Sequence, residues 1–140
     1  MYLLDTNVLS ELMRPAPSPS LLAWMDGQAA QHLYICAITR AEIELGIALL
    51  PTGKRRNALA AQAKAMFDED FPGRCLAFDE RCASLYAKLV ASRTRQGAPI
   101  SVEDAQIAAV GLAHQKILIT RNTADFEEIA GLQLINPWLA

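Results

Sequence analysis

Tyr2-Leu3-Leu4-Asp5-Thr6-Asn7-Val8-Leu9 opens the chain with an apolar run that halts on an acid and resumes three residues later. The stretch reads as a buried strand, Tyr2–Leu4. A polar turn follows, in which Thr6 or Asn7 caps a helix over Val8–Met13. The same order recurs downstream. Further strand candidates are Leu33–Cys36, Cys75–Ala77, Ile117–Thr120 and Leu134–Ile135. Helical stretches cover Ser20–Asp26, Arg40–Leu50, Arg55–Phe67, Asp79–Gln96 and Val102–His114, with a short turn near Ala124–Ile129. Prolines 15, 17 and 19 make Arg14–Pro19 a rigid loop. Short strands alternating with longer helices predict an α/β fold whose parallel sheet is covered on both faces. Such sheets carry their sites at the carboxyl ends of the strands, near the point where strand order reverses.

A chain of 140 residues, 52% apolar and 20% charged, is read as one globular domain spanning 1–140. No apolar run approaches the roughly 20 residues of a membrane span. Met1–Leu4 runs straight into Asp5, as a buried strand does and a signal peptide does not. Cys36, Cys75 and Cys82 are odd in number and lack C-x-x-C spacing. Reduced thiols in a cytoplasmic protein are the expectation. His32 and His114 show no ligand spacing and are read as structural or solvent-facing. A net charge of −2 argues against a broad basic nucleic-acid surface. Bound cations or local patches, such as Lys54-Arg55-Arg56 or Arg93 with Arg95, would have to supply that attraction.

Three acids stand where an apolar element begins or ends. Asp5 closes the first strand, either as a turn residue or as a side chain aimed at the rim. Glu42 follows Thr39 with capping-box spacing, yet Glu42, Leu45, Gly46 and Leu49 also share one helical stripe. Asp104 follows the capping candidate Ser101 and lines a face with Ile107, Ala108, Gly111 and Leu112. Capping and inward roles are both open for the two helical acids. Should the fold bring all three together, their repulsion would call for a divalent cation. A fourth polar segment, Thr120-Arg121-Asn122-Thr123-Ala124-Asp125-Phe126, follows the Ile117–Ile119 strand and aims Asn122 at the same rim.

These motifs resemble those of PIN-domain ribonucleases. Leu4-Asp5-Thr6-Asn7-Val8-Leu9-Ser10-Glu11 is similar to the first motif, and Ile38-Thr39-Arg40-Ala41-Glu42-Ile43-Glu44-Leu45-Gly46 to the second. Glu103-Asp104-Ala105-Gln106-Ile107-Ala108-Ala109 is similar to the third, and the Thr120–Phe126 segment to the fourth. Order and spacing match across the chain, most closely VapC-type toxins of the FitB-like branch.

The resemblance implies a three-layer α/β/α sandwich with a central five-stranded parallel sheet. It implies a Mg²⁺- or Mn²⁺-dependent endoribonuclease, the toxin of a type II toxin–antitoxin pair. Asp5, Glu42 and Asp104 would hold metal and act in catalysis. Asn122 or Asp125 would add a polar ligand, and Thr6 and Thr120 would support the site. Asn122 stands where the family often has Asp, which lowers attraction for a second ion. The implied product ends are a 5′-phosphate and a 3′-hydroxyl. Arg14, Arg40 and Arg121, adjacent to the acidic motifs, are candidate RNA contacts. A VapB-like antitoxin and a homodimer are the implied protein partners. Leu21–Met25 and Ile47–Leu50 read either as a groove for a partner helix or as core.

A second reading keeps the fold without the chemistry: a degenerate RNA- or partner-binding module, with Asn122 marking lost catalysis. A phosphatase of the haloacid dehalogenase type would need an acid where Asn7 stands.

Overall fold

Leu3 and Leu4 are both fully buried, and they point to opposite faces of the sheet. That alternation organises the whole computed structural model, which describes residues 1–140. Its strands are β1 (Tyr2–Leu4), β2 (Leu33–Cys36), β3 (Cys75–Leu76), β4 (Ile117–Ile119) and β5 (Leu134–Ile135). Between them run α1 (Thr6–Leu12), α2 (Pro19–Asp26), α3 (Ala37–Ala48), α4 (Lys54–Ala65), α5 (Glu80–Arg95), α6 (Val102–Ala113) and α7 (Thr123–Phe126). A 3₁₀ turn, Ala30–His32, leads into β2, and α4 widens into a π turn over Met66–Asp70.

The sheet has five parallel strands in the order β3-β2-β1-β4-β5. Strand order therefore reverses between β1 and β4. Leu3, Cys36 and Leu118 pack against α5 and α6 on one face, through Cys82, Leu89, Ala105 and Ala108. Leu4, Ile35 and Ile119 pack on the other, against Val8, Leu9, Leu21, Ile43 and Ala63 from α1 to α4 and Phe67 from the π turn. This is the expected α/β/α sandwich. Gly111 of α6 faces the sheet closely: an added Cβ would stand 3.7 Å from Leu3 Cδ2 on β1 and 3.2 Å from Leu132 Cδ1, the tip of a loop side chain that would have to give way. Beyond the strand ends, Asp5 N–H donates to Ile119 O at 2.9 Å and Thr120 N–H to Ile135 O at 3.0 Å. These bonds hold the tips of β1, β4 and β5 in one plane.

Several helix starts differ from the sequence expectation. Asp5 itself caps α1, accepting from Thr6 N–H at 2.8 Å, so Thr6 and Asn7 lie inside the helix. α3 begins at Ala37, with Cys36 at the cap position and no side-chain cap bond. Thr39 is thereby fully buried within the helix, and the capping box with Glu42 does not form. The stripe through Leu45 and Leu49 also faces outward, with these residues 59% and 76% exposed. Ile43 sets the inward side of α3, and Leu45 lies about 200° round the axis from it. In the Leu21–Met25 segment, Leu21 is core and Trp24 stacks edge-on against Tyr2 with ring centroids 5.1 Å apart.

Candidate active site

Asp5 sits at the tip of β1, at the reversal point of the sheet, and is only 4% exposed. One carboxylate oxygen caps α1. The other accepts from the Thr120 hydroxyl at 2.8 Å and from Asn7 Nδ2 at 3.0 Å. Burial lifts its carboxyl from 3.8 to about 6. The Thr120 and Thr6 bonds oppose that rise, and the charges of Asp104 and Glu42 add to it.

Glu42 reaches the same place from the second turn of α3. Its Oε1 accepts from the Thr6 hydroxyl at 2.7 Å, and the Thr6 oxygen lies 3.1 Å from the Thr39 hydroxyl. Asp104 comes from the first turn of α6, where the Ser101 hydroxyl caps its N–H at 3.2 Å. Both carboxyls are raised by burial, and each also feels neighbouring acids. The three acids line one cleft of about 540 Å³, together with Thr6, Asn7, Ser10, Glu11, Arg14, Arg121, Asn122 and Trp138.

The remaining expected residues divide. Thr120 is buried behind Asp5 rather than lining the cleft, and its oxygen also accepts from Asn122 N–H at 3.1 Å. Asn122 lines the cleft and makes no side-chain cap bond. Asp125 lies outside the lining, although its charge still raises the Asp104 carboxyl. Arg14 and Arg121 line the cleft, and the Arg121 guanidinium stacks over Trp138 at 5.2 Å. Arg40 does not reach it. Its guanidinium pairs with Glu44 at 3.1 Å, covers the Phe67 ring and lines a separate cleft between α3 and α4. Two positions from Glu42 along a helix is the opposite side of that helix, so proximity in sequence misleads here.

Two contributors escaped the sequence reading. Asn7, taken there only as a cap, bridges the loops after β1 and β4: it donates to Asp5 and to Thr120, and it accepts from Arg121 N–H at 3.1 Å. Glu11 is buried and accepts from Ser18 N–H at 3.0 Å and Arg14 Nη1 at 3.3 Å. It folds the proline-rich loop back and holds Arg14 at the rim. The i, i+3 spacing of Glu11 and Arg14 was the available signal.

A family model described as PIN domain matches residues 2–132. The chain belongs to the PIN-domain family. Three relatives align over nearly all of both chains. Plasmid stability protein StbB of Pseudomonas syringae pv. tomato is 44% identical over 140 residues, covering 100% of each chain. VapC ribonuclease Y4jK of Sinorhizobium fredii is 42% identical over 138 residues, covering 99% of this chain and 98% of that one. Toxin FitB of Neisseria gonorrhoeae is 40% identical over 138 residues, covering 99% of each. Among solved structures, FitAcB from Neisseria gonorrhoeae superposes with a TM-score of 0.90 at 39% identity, over 100% of both chains. A structure of FitAB bound to an IR36 DNA fragment gives 0.88 at 40% identity, over 99% of this chain and 96% of that one.

The PIN cleft has the donor set of a hard-cation site. Asp5, Glu42 and Asp104 offer only carboxylate oxygens, and neither sulfur nor imidazole lines the cleft. Thr6 occupies one Glu42 oxygen and leaves Oε2 to the cleft. All three carboxyls are harder to ionise than usual, chiefly because burial strips them of water and in part because each feels neighbouring acids. A dication between them would reverse that cost. In donor type the residues present fit such an ion.

Proposed function

We propose that this chain, read as a single domain over 1–140, is a Mg²⁺- or Mn²⁺-dependent endoribonuclease. It acts as the toxin of a toxin–antitoxin pair in the cytoplasm. The observation that carries the reading is the convergence of Asp5, Glu42 and Asp104 on one cleft at the reversal point of the sheet. The relatives named VapC ribonuclease and Toxin FitB support the RNA substrate and the toxin role. FitAB, the assembly bound to DNA, supports a small antitoxin partner. A homodimer is part of the same proposal.

Asp5, Glu42 and Asp104 hold the cation, with the Asn122 amide oxygen as a further donor. The chemistry such an ion supplies when bound is Lewis acidity toward water and toward phosphate oxygen. Thr6 fixes the Glu42 carboxylate by its hydrogen bond, and Thr120 with Asn7 fixes Asp5. Those bonds spare the site a reorganisation cost when substrate arrives. Arg14 and Arg121 flank the acids and contact the RNA backbone, offsetting the negative charge of the cleft. Single-stranded segments suit a cleft open to solvent.

The test is RNA cleavage by the purified chain with Mg²⁺, with Mn²⁺ or with chelator. Cleavage with metal, ends carrying 5′-phosphate and 3′-hydroxyl, and loss of cleavage in Asp5→Asn and Asp104→Asn are expected. A 2′,3′-cyclic phosphate would overturn the hydrolytic route. Asn122, in place of an acid in the cleft, favours one other reading, a PIN-fold module that binds RNA without cutting. RNA bound yet left intact in Mn²⁺ would select it.

A further inference from the structure

α5 and α6 form an antiparallel hairpin, so the start of α5 meets the end of α6. At that junction Asp79, Cys82 and His114 come together. One Asp79 carboxylate oxygen, the Cys82 sulfur and one His114 ring nitrogen all lie within 4.8 Å of one another. Asp104 stands ten residues back along α6, about 15 Å away, so this cluster is separate from the carboxylate cleft. We propose that Asp79, Cys82 and His114 form a zinc site that clamps the open end of the α5–α6 hairpin.

Ordinary structural roles account for part of the cluster. Asp79 Oδ1 accepts from Cys82 N–H at 3.1 Å as the cap of α5, and Cys82 packs in the core with its thiol 3.8 Å from Ala77 O. They do not account for His114. Its Nε2 is buried and has no hydrogen-bond partner, a costly state for a polar nitrogen. His114 and the fully buried Cys82 have no bond to each other that would explain their approach.

The donor types choose the metal. A thiolate, an imidazole and a carboxylate together suit zinc, whereas Mg²⁺ and Mn²⁺ prefer the all-oxygen cleft. Zinc bonds of about 2.0–2.3 Å place tetrahedral ligands roughly 3.3–3.8 Å apart. From separations of at most 4.8 Å the side chains need to close by no more than about 1.5 Å, and Asp79 is exposed and His114 partly exposed, so both have room to rotate. The cap holds Asp79 by one oxygen and leaves the other to the metal. Exposure of Asp79 leaves the fourth tetrahedral position to water or to an incoming ligand. As the metal–sulfur bond forms, the Cys82 proton passes to solvent.

Co²⁺ reads this site directly, because only a thiolate ligand produces a near-ultraviolet sulfur-to-cobalt band. The full chain, held reduced, should develop that band on titration with Co²⁺ and lose it when Zn²⁺ is added. Asp5→Asn should keep the band; His114→Ala and Cys82→Ala should lose it. His114→Ala removes a partly exposed ring with an unpartnered nitrogen, so it retains the fold and decides the matter if Cys82→Ala does not fold. No band in the unmodified chain would overturn the proposal. So would a band surviving in His114→Ala, which would place the metal on Cys36 or Cys75.

Discussion

Asp5 is a charge that the folded chain solvates poorly, and pH exposes the cost. Its carboxyl rises from 3.8 to about 6 on folding, chiefly through burial. Between those values the folded state binds more protons than the unfolded one, so stability falls as pH rises through the window and levels off above about 6. The loss has a ceiling of roughly 3 kcal/mol in metal-free protein at neutral pH. Asp5→Asn removes that loss but sets an amide N–H against Asn7 Nδ2, which donates to Asp5 at 3.0 Å. An opposed donor pair costs about 1–3 kcal/mol at any pH. The stability of Asp5→Asn relative to the unmodified chain should therefore drop by roughly 1–2 kcal/mol between about pH 7.5 and about pH 5. Denaturant melts in chelator measure this, and a difference independent of pH would contradict it. Asn122→Asp tests the neighbouring position. Adding an anion to a cleft that already holds three acids should tighten Mn²⁺ binding by at least about tenfold; unchanged affinity in calorimetry would remove Asn122 from the donor set. Asp5 at a strand tip was visible in the sequence because apolar strands stop abruptly on it. Asn7 was not, since its three partners lie on residues 5, 120 and 121 and only the folded sheet joins them.

Helix boundaries decide which acids face the cleft, and they were legible only where a polar cap announces them. Ser101 is such a cap, and its hydroxyl accepts from the backbone N–H of Asp104 itself. Ser101→Ala should cost about 1 kcal/mol of stability. It should also weaken divalent-metal binding, because the residue released is the one proposed to hold the ion. Ser101→Asn restores a cap and should recover both quantities. Stability loss with metal affinity intact would separate cap from site. α3 illustrates the opposite case. Cys36 precedes it without a side-chain cap, so Thr39 was the visible start signal although the helix already begins at Ala37. The early start turns Thr39 inward, where its hydroxyl meets Thr6, the residue that holds Glu42. The same phase carries Arg40 to Phe67 and away from the cleft. Helical period is readable from sequence; its phase depends on a first residue that tertiary packing selects.

Across the whole molecule, the cleft draws residues from position 5 to position 138, so it exists only when both ends of the chain are in place. The rule that parallel sheets place sites at strand tips was sufficient to locate it. The strand order that makes β1 and β4 neighbours was not readable from local pattern, because it is a property of long-range pairing. Residues so far apart cannot hold a common ion in the unfolded chain, and this couples metal binding to stability. An ion bound to the folded state alone stabilises by about 2.7 kcal/mol at a concentration 100 times its Kd. For a chain of this length that corresponds to a rise in Tm on the order of 5–10 °C. Mn²⁺ should produce that rise at neutral pH and lose most of it in Asp104→Asn. Acid should diminish it too. Below about pH 6 the Asp5 carboxyl is increasingly protonated in the folded state, and the ion must displace that proton to bind. Thermal melts with Mn²⁺ or chelator at about pH 7.5 and about pH 5 separate the cases. A metal-induced shift equal at both pH values, or intact in Asp104→Asn, would mean that the stabilising ion sits somewhere other than among these carboxylates.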